Sequence, residues 1–379
     1  MKQILVPLTI RAMFCASASL SAENNYMDLT LPEFEGSYLF SPLGINETLK
    51  ITQLIIPSSE KDRQKFLKLF LKNRKELSSA VDFTSYVILD DSISMKERML
   101  EQLTNVGNIV LKTNFSNPLE TVSLINQRVE DKTQGLISKI IEVPEVPTNR
   151  GMVLLNTVVI RSAWKYPLKE KADALLFRFS EEAVSNVRAN CGPVSCQLYE
   201  SEQSYFVGLE TTELDLSMIF KLNKNGYTSS PLTRSELLAY HHKKIPQQIM
   251  LTLPSGYIAS THDLLRSLSA DPSILKFKTA SLTIDTIKQV VILEWDNLGL
   301  TGGASTASEN EVMLMDIHPL KEITIDRPFS FACIQETFTN PEIILIGSIQ
   351  DMDGLIAHYT SKRSYGLKRN FVSSGEEKH

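Results

Sequence analysis

With 379 residues, 42% of them hydrophobic, the chain can bury one large core or two medium ones. Its 44 acidic residues outnumber 39 basic ones, giving a net charge of −5, and no basic block marks a nucleic-acid surface. No apolar run has the length of a bilayer span, which argues against a membrane-spanning protein.

The N-terminus, MKQILVPLTIRAMFCASASLSAE, reads as a secretory leader over residues 1–22, with a basic start and an apolar run from Ile4 to Ile10. Arg11 interrupts the apolar part, and the alternative is a first amphipathic helix over residues 8–28 of a cytoplasmic protein. The sequons at Asn46 and Asn114 suit a secreted glycoprotein without deciding the matter.

From Gly36 a short strand runs to Ser41-Pro42, where proline in the first turn opens a helix. Helical spacing continues through Lys61–Leu77. Phe83–Leu89 reads as a strand, Met95–Val106 as a helix and Asn108–Thr113 as a strand. After the turn at Asn117-Pro118, Leu124, Ile125, Val129, Ile137, Ile140 and Ile141 recur at helical spacing, broken at Gly135. Met152–Ile160 is a core strand carrying Asn156, and Trp164 and Pro167 follow it.

Short strands dominate Phe177–Phe220, ending in Leu214–Leu222. Within them, Cys191 and Cys196 read either as a small hairpin disulfide or as two free thiols in a turn. Cys333 is a buried core cysteine. A polar loop over Asn223–Ser235 extends towards His241-His242. Ile249–Leu253 is a strand, and His262-Asp263 caps a helix over Asp263–Ser269.

Leu282–Asp296 is dense in Ile, Val, Leu and Trp and reads as a long buried strand. The character changes at Gly299: Leu300-Thr-Gly-Gly-Ala-Ser-Thr-Ala-Ser is small and uncharged, then come Glu309, Asn310 and Glu311, then Val312-Met313-Leu314-Met315. Ile323–Phe338 and Glu342–Ile349 form two further strands around a turn at Thr339-Asn340-Pro341. A polar tail fills Asp353–His379. Helices early and strands later make an α+β pattern.

No nucleophile elbow, metalloprotease helix or P-loop is present, and the six histidines are scattered. Nothing argues for an enzyme, a metal or a cofactor.

Six segments, in order, resemble the serpin family of serine protease inhibitors across roughly residues 36–352. Tyr38–Ile45 (YLFSPLGI) resembles its strand-to-helix FFSPxSI segment. Ile125, Asn126, Val129, Glu130, Thr133, Gly135 and Ile137 keep its IN-x-WVE-x-x-T-x-G-x-I pattern. Leu154–Pro167, with Asn156 and Trp164, is similar to its LVNAIYFKGxWxxPF strand. Leu214–Phe220, Asp326–Phe331 and Ile343–Ile349 resemble three more of its strands.

The resemblance implies one serpin domain over residues 23–352, with helices clustered in the N-terminal third, a large central sheet and smaller sheets. It places the reactive-centre loop at about residues 297–322, with the hinge at Asn297, Leu298, Gly299, Leu300, Thr301, Gly302, Gly303, Ala304, Ser305 and Thr306. Counting from Gly299 puts the reactive bond at Met313–Leu314. A slightly long loop leaves Met315–Asp316 and Asp316–Ile317 as alternatives. The implied function is suicide-substrate inhibition of a chymotrypsin-like or elastase-like protease by a secreted monomer. In that mechanism the cut loop inserts into the central sheet as a new strand. The alternative is a non-inhibitory binding or signalling protein on the same fold.

An inserting strand alternates faces. Leu300, Gly302, Ala304, Thr306 and Ser308 would enter the core, while Thr301, Gly303, Ser305, Ala307, Glu309 and Glu311 would look outward. The sheet-opening positions implied by the family are Ser41, Asn156, Trp164 and Gln289. Five positions depart from the family pattern. Asn297-Leu298 stands for an acidic pair, Leu300 for Thr or Ser, Gly44 for a serine and Gln289 for a histidine.

Overall fold

The computed structural model describes residues 36–55, 64, 67, 77–147, 151–265, 283–301, 319–336 and 341–356. In chain order these give β1 (Tyr38–Phe40), α1 (Pro42–Ile55), β2 (Val81–Asp90), α2 (Glu97–Asn105), β3 (Ile109–Thr113), α3 (Pro118–Thr133), β4 (Met152–Ile160) and β5 (Ser162–Ala163). Next come β6 (Lys169–Glu170), β7 (Leu175–Arg178), β8 (Val184–Val187), β9 (Ala189–Glu200), β10 (Ser204–Glu210), β11 (Leu216–Asn223), α4 (Arg234–Lys243) and β12 (Ile245–Pro254). The last are β13 (Gly256–Asp263), β14 (Ile284–Trp295), β15 (Gly299–Leu300), β16 (Lys321–Thr324), β17 (Phe329–Gln335) and β18 (Glu342–Ile349).

Two large sheets carry the fold, which is α+β as the sequence implies. One runs β3-β2-β4-β14-β15-β5, with β13 on the far side of β14. The other runs β1-β18-β17-β11-β10-β9-β12-β16, with β6 on β9. A core built on Trp295, Phe220, Phe329 and Phe331 joins them, the rings stacking edge-on or tilted at 5.3 to 6.3 Å. The remaining apolar surface of the first sheet is buried by helices. Ile51 and Leu54 of α1 pack on Leu154 and Ile287, and Ile125 and Val129 of α3 pack on Leu155, Val159, Val290 and Ile292.

Local chemistry sets the element ends. Ser41 Oγ accepts from the Gly44 amide (3.0 Å) at the start of α1. Helix α3 stops at Thr133, with Gln134 and Gly135 both left-handed, so the helical spacing does not run on to Ile141 as one element. The apolar residues beyond are tied back instead: Asn126 Oδ1 accepts from the Ile140 and Ile141 amides (2.9 and 3.2 Å).

Several expectations change here. Cys191 and Cys196 lie five residues apart in the single strand β9, paired with Thr252 and Gln247 of β12, so no hairpin brings them together. They and Cys333 are free thiols. His241 and His242 lie on α4, which begins at a capping box made by Thr233 and Glu236. Residues 323–338 are not one strand, since the chain breaks between β16 and β17 at Ile325–Pro328. The polar tail begins later than Asp353: Leu355 is buried, and Ile356 bonds Ser255 and Arg188 through its backbone. Residues 1–28, most of 61–77, 266–269 and 339–340 lie outside the described residues. No helix among those described is long and apolar enough to cross a membrane.

Candidate functional site: a strand seam with a foothold

The centre of the first sheet is a parallel seam. β4 and β14 pair from Met152 and Ile284 up to Val159 and Ile292, with a register shift between Ile284 and Thr286 at the lower end. Parallel neighbours cannot be joined by a tight turn, so both strands leave the seam at the same end. There β14 folds back sharply. Asp296 Oδ1 accepts from the Leu298 and Gly299 amides (2.7 and 3.1 Å), an Asx turn that reverses the chain.

What returns is β15. Leu300 pairs antiparallel with Trp295 on one side and with Ser162 on the other, and Gly299 pairs with Ala163. Gly299 sits so close to the Ser162 carbonyl and the Ala163 backbone that any Cβ there would collide with them. Trp164 secures the turn: its Nε1 donates to Asp296 O and its backbone N to Leu298 O, both at 2.8 Å. Leu168 N donates to Asn297 O (3.0 Å). Leu300, the apolar departure from the family pattern, is fully buried in the shared core, whereas the Leu298 side chain is 40% exposed.

The chain turns away at Thr301. Its φ of 43° is left-handed, an unfavourable region for a β-branched residue, costing about 1–3 kcal/mol. Two bonds to Glu294 hold it there, Thr301 N to Glu294 O (2.8 Å) and Glu294 N to Thr301 Oγ1 (3.3 Å). The described chain resumes at Pro319 and enters β16, parallel to β12 at the edge of the other sheet. Residues 302–318 therefore connect a foothold in one sheet to the edge of another.

Midway down the seam lies a polar row. Register aligns Ser85 of β2 with Asn156 of β4, Asn156 with Gln289 of β14, and Gln289 with His262 of β13. Gln289 clamps the entry to α1 at both backbone groups of Ser41, accepting from its N (2.9 Å) and donating to its O (3.0 Å). Asn156 Nδ2 donates to Gly44 O (2.7 Å) and Thr48 Oγ1 (3.2 Å). Helix α1 is thus bonded to both sides of the seam. Asn156 is 1% exposed, and its Oδ1 has no hydrogen-bond partner among the described residues.

Gly44 belongs to the same arrangement. A Cβ there would collide with the Gln289 and Asn156 amides, so the small residue and the long amide fit each other. His262, a helix cap by its sequence context, instead lies in β13, with its Nε2 on Leu39 O at 2.6 Å. Burial holds its pKa below the usual value, opposed by that bond. Burial alternates along Gly256–Asp263, with Gly256 and Ile258 inside and Tyr257 and Ala259 exposed, as in a strand with one face on the core.

Of the residues proposed from sequence, Asn297, Leu298, Gly299, Leu300, Thr301 and Trp164 meet at the head of the seam. Ser41, Asn156 and Gln289 meet halfway down. Gly302, Gly303, Ala304, Ser305, Thr306 and the bond candidates Met313, Leu314, Met315, Asp316 and Ile317 lie outside the described residues. One expectation needs correction. The face of the seam opposite α1 does not look into solvent, because α3 and residues Ile137–Ile141 pack on Val290, Ile292, Leu155 and Val159. Among the described residues no cluster of three side chains could hold a metal.

A family model described as "Serpin (serine protease inhibitor)" matches residues 40–351. Serpin A3-6 of Bos taurus is 23% identical over 363 residues, covering 86% of this chain and 85% of that protein. Among solved structures, a serpin from Schistosoma mansoni superimposes with a TM-score of 0.67 at 18% identity, over 84% of this chain and 96% of its own. Human thyroxine-binding globulin does so at 0.66 and 18%, over 83% and 92%. At such identities the structural likeness speaks for the fold alone. The match of the family model over most of the chain goes further, and the chain belongs to the serpin family.

Proposed function

We propose that the protein inhibits a serine protease as a suicide substrate, with residues 302–318 as bait and the β4–β14 seam as the place where the cut loop is taken up. The observation that carries this reading is β15. Gly299 and Leu300 are already hydrogen-bonded between β14 and β5, and they head antiparallel into a seam whose two strands both run the other way. A strand prolonged from that foothold would gain partners on both sides.

Met313–Leu314 is the favoured bond, with Met315, Asp316 and Ile317 as alternatives at the cut. An unbranched apolar side chain there suits a chymotrypsin-like or elastase-like pocket. A secreted monomer is the form expected to meet such a protease.

A second reading has its own support. The Gln289 clamp on Ser41 and the bonds from Asn156 to α1 resist separation of β4 and β14. Within the same fold, human thyroxine-binding globulin is named for binding a small molecule. A serpin that keeps its seam shut would act by binding through its surface.

The two readings separate in one experiment. The protein is incubated with chymotrypsin or elastase, then examined by SDS electrophoresis and by a melting curve. Inhibition predicts an SDS-stable adduct and a higher melting temperature after cleavage. Clean cutting within residues 309–317, with no adduct and an unchanged midpoint, would sink the inhibitor reading.

A further inference from the structure

We propose that Asn114, in the turn between β3 and α3, is an N-glycan acceptor, and that Asn46, in the other sequon, cannot carry a glycan in the folded protein. The co-substrate is an oligosaccharide delivered on a polyprenyl diphosphate in the secretory pathway. Occurrence of the modification in cells rests on the secreted reading above; the choice between the two asparagines does not.

Both sites have the pattern that the transfer needs, an asparagine followed two residues on by a hydroxyl: Asn46-Glu47-Thr48 and Asn114-Phe115-Ser116. In the step itself the asparagine Nδ2 forms a bond to C1 of the oligosaccharide and gives up one proton. The bond from C1 to the diphosphate oxygen breaks, and polyprenyl diphosphate leaves. Nothing is oxidised or reduced. A glycan is bulky and hydrated, so the folded chain must present that same Nδ2 to water.

Asn114 does so. Phe115, the middle residue of its sequon, is buried, and its backbone N donates to Asp90 Oδ2 (3.0 Å). With that residue pinned inward, Asn114 and Ser116 on either side of it are exposed. Asn114 Oδ1 accepts from Ser116 N (2.9 Å), and the Asn114 carbonyl accepts from Asn117 N and Thr121 Oγ1 (both 3.0 Å). The turn therefore uses only the oxygens of Asn114. Its Nδ2 and the Ser116 hydroxyl make no hydrogen bond among the described residues.

Asn46 fails on each count. It is 8% exposed, and Glu47 and Thr48 beside it in α1 are buried more deeply still. The hydroxyl of its sequon is engaged, since Thr48 Oγ1 donates to Gly44 O (3.0 Å) and accepts from Asn156 Nδ2 (3.2 Å). A glycan there would have to displace the packing around α1.

The place of Asn114 leaves the candidate site open. Thr113, the last residue of β3, pairs with Asp90, and the adjacent Leu89 pairs with Met152 at the lower end of the seam. Gly299 and Leu300 pair at its other end. A glycan on Asn114 thus stands at the end of the first sheet far from β15.

The test expresses the full chain in mammalian cells behind a supplied secretory leader, alongside Asn114→Gln, Ser116→Ala and Ser116→Thr. The secreted proteins are compared by SDS electrophoresis before and after amidase removal of N-glycans, which turns a glycosylated asparagine into aspartate. The unmodified chain and S116T should shift by one step, and N114Q and S116A not at all. Mass spectrometry of the deglycosylated, unmodified chain should find residue 114 converted and residue 46 intact. A glycan on Asn46 of the secreted chain, or no shift in the unmodified chain, overturns the assignment. Glycosylation behind the supplied leader but not behind the native N-terminus would refute secretion while supporting Asn114 as the acceptor.

Discussion

At the scale of single residues, Gly44 and Gln289 are best understood as one feature. The amide of Gln289 reaches Ser41 through space that a side chain at residue 44 would fill. Gly44→Ala should destabilise by about 1–2 kcal/mol, because the added methyl must push aside two hydrogen-bonded amides. Gln289→Ala should cost about 1–3 kcal/mol, since the amide of a fully buried Ser41 loses its partner and its carbonyl keeps only the bond from Ile45 N. The double variant should lose less than the sum, by about 1 kcal/mol, in a urea-denaturation cycle. Strict additivity would mean that the glycine has nothing to do with the glutamine.

At the scale of elements, α4 shows what sequence patterning could and could not reveal. Its apolar content is modest, and only Leu237 and Tyr240 are buried, so helical periodicity is faint. The capping box Thr233-Arg-Ser-Glu236 is the available signal. Glu236 has a second role, because it also holds Lys221 Nζ (2.7 Å), whose side chain is 3% exposed. Thr233→Ala should cost about 1 kcal/mol, the loss of a cap. Glu236→Ala should cost more, about 2–4 kcal/mol, because a buried ammonium loses its charged partner. Equal costs in thermal unfolding would refute that division.

The central strands are legible for the opposite reason. β4 is buried along its whole length and reads as an apolar run interrupted by Asn156 and Thr157, and the upper part of β14 reads as the apolar run Val290–Leu293. The Asx turn at Asp296 and the pairing of β15 with β5 are not legible. A two-residue strand has no period, and its partners Ser162 and Ala163 are far away in sequence. The polar row is half visible. His262 joins it through the pairing of β13 with β14, a fact of register that a single segment cannot carry.

At the scale of the whole molecule, that row ties the sheet to acid stability. His262 has a folded pKa held below its unfolded value, chiefly by burial. Its contribution is complete above the unfolded value, near 6.5, and is lost as pH falls through the lower folded value. The melting temperature should therefore decline as pH falls below about 6.5, and His262→Gln should flatten that decline. A slope identical in the variant would assign the acid sensitivity to other groups. The lowered carboxylates Glu200 and Glu210 act at more acidic pH, being held down mainly by hydrogen bonds from Lys224 and from Lys165 respectively.

The left-handed backbone of Thr301 has a kinetic consequence. Starting a new strand inside a closed sheet is ordinarily the slow step, since chain must be ordered before any bond rewards it. Here the first two residues are in place, and a single crease separates them from the rest. On the insertion reading, flattening that crease releases its strain and leaves only propagation, one residue pair after another down the seam. Uptake would then behave as the closing of a zip whose slider is already engaged. Its speed would be set at Thr301 and the seam, and would be indifferent to which of the candidate bonds from Met313 to Ile317 had been cut.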